Sequence, residues 1–152
     1  MAEYTKEDIV ALREQTAMGL SDIKKALEEA NGNREKALEL LRERGAAVMA
    51  KRADRETGEG VIVSYIHAGR IGVMVEVNCE TDFVARSEDF RNFADSIALH
   101  ITSMAPETTE ELLEQDFFQD SKKTVSEYLA EVTGKLGEKV MIRRFVRIEL
   151  GK

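Results

Sequence analysis

The sequence is poor in the residues that carry covalent and metal chemistry. Its 152 residues include one cysteine, Cys79, two histidines, His67 and His100, and one proline, Pro106. A single thiol closes no internal disulfide, so a reducing compartment fits better than a secreted one. Neither histidine has a metal-ligand spacing to Cys79 or to the other. No apolar run approaches the ~18 residues of a membrane helix. Residues 1–7 are polar and acidic, without the apolar stretch of a signal peptide, so the cytoplasm is the expected location. A surplus of basic charge is missing too: the formal net charge is −7, which repels phosphates and anionic membranes. Lys51-Arg52 and Arg143-Arg144 are isolated basic pairs without interleaved aromatics, a poor nucleic-acid pattern. Gly58-Glu59-Gly60 lacks the length and the Lys-Ser/Thr ending of a phosphate loop. No cofactor is expected.

What remains is 43% hydrophobic and 34% charged, enough to bury a core. As far as Gly45 the apolar spacing is helical and gives three short helices. Thr5, with Asp8 three residues on, heads the first, where Ile9 and Leu12 share a face. Ser21 heads the second, with Ile23, Ala26, Leu27 and Ala30 as its stripe and Asn31-Gly32 as its stop. Asn33 heads the third, whose stripe is Ala37, Leu38 and Leu41, and Gly45 closes it. Residues 51–60 are polar, and 46–60 reads as a linker, with a continued helix through Ala46–Ala50 left open. From Val61 the character changes: 61–67 and 71–78 flank a Gly-bearing turn and predict a β-hairpin. Helical spacing returns over 81–104, with Ser87 as a cap, and ends at Pro106. Residues 107–115 hold a short helix and Phe117-Phe118 a brief strand. Thr124 with Glu127 opens a last helix that Gly137 stops. Residues 140–150 alternate as a long strand, with Val140, Ile142, Val146, Ile148 and Leu150 on a buried face and Arg143, Arg147 and Glu149 on a wetter one. The expected architecture is α+β: a three-helix domain over 1–45, a linker over 46–60, and an α+β core over 61–152 with an antiparallel sheet packed by helices.

Carboxylates are plentiful, but most sit beside Lys or Arg on helix faces, as a solvated surface does. The odd segment is 76–86, which contains Thr81-Asp82-Phe83-Val84 between a strand and a helix. Two readings stand. Phe83 is a core side chain and Asp82 a cap, or the two form an aromatic wedge beside a carboxylate on a rigid turn, aimed at a partner's cation or phosphate site.

Residues 12–27, running from Leu12-Arg13 through Met18-Gly19-Leu20 to Lys24-Lys25-Ala26-Leu27, resemble the N-terminal signature of the bacterial translation elongation factor Ts family. Thr81-Asp82-Phe83-Val84 resembles that family's second signature, and Gly137-Glu138-Lys139-Val140 through Phe145 is similar to its core. The resemblance implies a nucleotide exchange factor for elongation factor Tu, with a ubiquitin-associated-like (UBA-like) N-terminal domain. By matching position it implies that Arg13, Leu20 and Lys24 contact the partner's GTPase domain, and that Thr81, Asp82, Phe83 and Val84 reach its magnesium site. GDP release then follows, with no bond made or broken by this chain. The sequence departs from the family in three places: Ala17 stands where Gly is common, Ser21 stands where an apolar residue is common, and an acidic connector between Met104 and Phe117 replaces a long helical insertion. No heptad run supplies a coiled-coil arm. The chain thus resembles a short form, and a homodimer through the core sheet is left open. Two other classes stay in play: a helical adaptor for some other protein, and an enzyme built on Cys79 or the histidines.

Overall fold

A computed structural model describes residues 2–16 and 18–152. Ala17, one of the departures from the family pattern, lies outside them. Helix α1 (Lys6–Thr16) starts as expected: the Thr5 hydroxyl accepts the Asp8 N–H at 3.2 Å, and the Asp8 carboxylate accepts the Thr5 N–H at 2.9 Å. Helix α2 (Leu20–Glu29) corrects the sequence expectation. Its N-cap is Gly19, without a side-chain cap, and Ser21 lies inside the helix. The extended Gly19 already presents its carbonyl to the Ile23 N–H at 3.1 Å, so the first turn closes before Ser21 can cap it. Gly32 ends the helix with φ +80°, and a Cβ there would lie 2.1 Å from the Glu3 carbonyl oxygen. Asn33 caps helix α3 (Arg34–Arg52) through the Lys36 N–H. Leu12, Ile23, Ala26, Leu27, Ala37 and Leu41 form a first apolar core.

Helix α3 passes through Gly45 and runs to Arg52, a second correction. A mid-helix glycine costs about 1 kcal/mol relative to alanine. Tertiary contacts offset it: Met49 packs on the second core and Arg52 donates to the Thr133 carbonyl at 3.1 Å.

The second core is built on strands β1 (Glu59–His67) and β2 (Ile71–Cys79), joined by a turn with Ala68 and Gly69 both at positive φ. Helices α4 (Asp82–Ala85), α5 (Glu88–Met104) and α6 (Thr109–Glu114) follow. A two-stranded ribbon, β3 (Asp116–Phe117) with β4 (Asp120–Thr124), precedes α7 (Val125–Leu136) and β5 (Met141–Glu149). Phe118 falls outside the brief strand expected for it, because its N–H bonds His100 instead of a strand. Thr124 and Glu127 form the expected reciprocal cap, and Gly137 stops α7 at φ +76°.

The antiparallel sheet has the order β1-β2-β5. On one face Val73, Val75 and Val77 meet Phe90, Phe93 and Ile97 of α5. Strand β5 does not keep the faces its alternation suggests. Val77 pairs with Ile142 and Glu76 with Arg144, which leaves Arg143 bulged between them. One extra residue inverts every side chain beyond it. Ile142 is buried, but Val146, Ile148 and Leu150 are exposed, while Arg147 turns inward to the Thr102 carbonyl. The open face of the sheet therefore carries Ile62, Ile66, Met74, Val146, Ile148 and Leu150, each at least 47% exposed.

Candidate partner-binding turn

The turn that follows β2 is fixed from below by polar contacts. Thr81 is extended (φ −123°, ψ 154°), and its hydroxyl accepts the Val84 N–H at 3.3 Å, capping α4. The same hydroxyl donates to Glu138 Oε2 at 2.7 Å. Glu138 Oε1 accepts the N–H groups of Glu80 and Thr81 at 3.1 and 3.0 Å. In return Glu80 Oε2 accepts the Lys139 N–H at 3.1 Å, and Glu80 Oε1 meets Arg55 at 3.4 Å. One strand turn earlier, buried Asn78 donates to Glu76 and to the Glu59 carbonyl and accepts from Arg143 Nε at 2.6 Å. Hydrogen bonds from Asn78 first and Arg144 second hold the Glu76 carboxyl below the usual carboxylate range.

On this base Val84 and Ala85 point into the core, each 6% exposed, while Phe83 just before them is 80% exposed. Three consecutive residues cannot all face inward on one helical turn. Asp82 is exposed and pairs with Arg86 at 2.7 Å, a surface contact of about 0.3–0.5 kcal/mol that a partner can displace. The four residues expected at the site therefore divide. Asp82 and Phe83 face solvent, Thr81 caps the turn, and the Val84 side chain is core. Arg13 on α1 and Leu20 and Lys24 on α2 are exposed, with Leu20 and Lys24 one turn apart on the same helix. They belong to the first apolar core's helices, whereas the turn lies on the second.

The residues considered for enzyme chemistry are structurally occupied. Cys79 is fully buried, its Sγ 3.2 Å from the Thr81 carbonyl, and burial, with the Glu138 charge next, pushes its thiol up to about 11. It stays protonated at neutral pH, unlike a nucleophilic cysteine. His100 is buried; Nδ1 accepts the Phe118 N–H at 3.2 Å, which leaves Nε2 to donate to Gln115 at 2.9 Å. His67 is exposed beside the Tyr65 hydroxyl. Among the described residues no cluster of His, Cys, Asp or Glu is arranged to hold a metal ion, and no helix is long and apolar enough to cross a membrane.

Glu138 and Glu80 were not singled out as site residues from the sequence. Their partners lie 57 to 59 residues away, beyond the reach of any local pattern; the signals in the sequence are the odd segment 76–86, which holds Glu80, and the likeness of 137–145, which holds Glu138, to the family core.

Comparison with known proteins matches residues 80–152 to the family model described as Elongation factor TS. The elongation factor Ts of Desulforamulus reducens is 42% identical over 198 aligned positions, covering 100% of this chain and 91% of that protein. That of Rubrobacter xylanophilus is 44% identical, covering 95% and 97%. That of Clostridium kluyveri is 48% identical over 97% of this chain but only 49% of its own length. The first alignment is longer than the 152 residues of this chain, so that relative carries segments this short form lacks.

Proposed function

The chain belongs to the elongation factor Ts family of translation elongation factors, and from that premise we propose that it is the guanine-nucleotide exchange factor for elongation factor Tu. The observation that carries the proposal is Phe83, an aromatic ring held out in water on a turn clamped from beneath. Burying such a ring contributes about 2–3 kcal/mol, comparable to the 1–3 kcal/mol typical of coupling between two ligands. One side chain can thus supply most of what is needed to favour one state of a partner.

Asp82 and Phe83 enter the GTPase beside its magnesium ion. The ring takes an apolar pocket and the carboxylate disturbs the cation's surroundings. With magnesium coordination weakened, GDP is held less tightly and leaves. The chain stabilises the nucleotide-free state until GTP binds and displaces it. Arg13, Leu20 and Lys24 contact the GTPase domain from the helical part, and the division into 1–45, 46–60 and 61–152 belongs to the same proposal. The magnesium is the partner's, so this chain needs no cofactor. No bond is made or broken, and the acceleration comes from differential binding. The coupling is reciprocal: whatever factor this chain takes from GDP affinity, GDP takes from its own. A second copy of the chain covers the open apolar face of the sheet, giving a homodimer.

The test is release of labelled GDP from the purified GTPase with excess unlabelled nucleotide. Faster release on adding this chain is expected, with reciprocal weakening of its binding by GDP. Unchanged release, together with capture of a different protein partner, would favour the adaptor reading instead.

A further inference from the structure

The apolar burial at this site ends at Val84 and Ala85, and the two residues offered to solvent have no packing of their own to aim them. A helix of four residues does not hold its shape unaided. What fixes α4 is a clasp of two carboxylates exchanged between distant segments. Glu138 takes the N–H groups of Glu80 and Thr81 and the Thr81 hydroxyl, while Glu80 takes the Lys139 N–H. Because the Thr81 hydroxyl gives its hydrogen to Glu138, its lone pair is left facing the Val84 N–H, so Glu138 also orients the cap.

We infer that Glu138, with Glu80 as its counterpart, is the positioning residue that holds the Asp82–Phe83 turn in the attitude it presents to the partner. Glu138 lies just past the end of α7, between Gly137 and β5, and acts through the turn. This inference rests on the proposed exchange function.

Its signature is a split between rate and affinity. The wild-type chain, Glu138→Ala and Glu138→Gln are compared for GDP release from the GTPase over a range of concentrations. Amide hydrogen exchange is read on the free proteins. In Glu138→Ala the maximal release rate is expected to fall roughly ten-fold or more, with a half-saturating concentration within about three-fold of wild type. That small change is expected because the Arg13, Leu20 and Lys24 surface is untouched. The amides of Glu80, Thr81 and Lys139 lose protection, while those of Val73 and Val75 keep it. Glu138→Gln, which retains one acceptor oxygen, recovers part of both.

A maximal rate equal to wild type in Glu138→Ala overturns the inference, as does a loss confined to the half-saturating concentration. If the alanine variant also loses protection at Val73 and Val75, the fold has gone, and Glu138→Gln decides by the same split. A wild-type chain that fails to release GDP removes the exchange function, and the positioning role with it. A working wild type with an unaffected variant removes the positioning role alone.

Discussion

Phe83 and His100 lie on opposite sides of the surface: the phenyl ring is held in solvent and the imidazole is fully buried. On spacing alone Phe83 fits a core position as well as a wedge, because a single turn of helix is too short for periodicity to choose between them. The choice is made by Val84 and Ala85, which occupy the buried side. His100 goes the other way: it lies among aromatic rings of Phe117 and Phe118 with both ring nitrogens bonded. Burial holds it below the ordinary histidine value of 6.5, the Gln115 bond opposing in part. The unfolded chain therefore takes up this proton first, and the native state binds fewer. Stability from this group is full above pH 6.5 and is lost as the pH falls below it, with a slope of at most about 1.4 kcal/mol per pH unit. Urea unfolding at about pH 7.5 and 5.5 is expected to show a loss for the wild type that is smaller in His100→Asn. An equal loss in both would remove His100 as its source. Asp8, Glu76 and Glu149, whose pKa values are lowered, act in a separate, more acid window.

At the scale of elements, caps and turns were the most legible features, because each is written within four residues. Thr5, Asn33, Ser87 and Thr124 cap as their positions suggest, whereas Gly19 takes the place of Ser21 and Thr81 that of Asp82. The extent of α3 and the faces of β5 were not legible. Both depend on contacts far along the chain: Arg52 with Thr133, and the pairing of β5 against β2 that bulges Arg143. Gly60 is a similar case. Its φ is +151°, and a Cβ there would lie 2.1 Å from the Val77 carbonyl oxygen, because β1 starts hard against the end of β2. Gly60→Ala is expected to destabilise the chain by roughly 2 kcal/mol or more, read as a lower urea midpoint. A midpoint unchanged from wild type would mean that this close approach is not required.

At the scale of the molecule, the two apolar cores share no buried residue, and the second presents an uncovered apolar sheet face. An apolar patch of this kind marks an interaction surface. Sedimentation equilibrium is expected to give a dimer mass, and Ile66→Lys with Ile148→Lys the monomer mass. A wild-type chain that stays monomeric at concentrations well above micromolar would refute the pairing.

The central claim is that nucleotide exchange passes through the Asp82–Phe83 turn. It is tested most directly by the maximal rate of labelled GDP release from elongation factor Tu at saturating factor, wild type against Phe83→Ala. Losing about 2 kcal/mol of ring burial corresponds to a rate roughly 30-fold lower, with the fold intact because the ring is exposed in the free chain. A Phe83→Ala variant that releases GDP as fast as wild type would contradict the account.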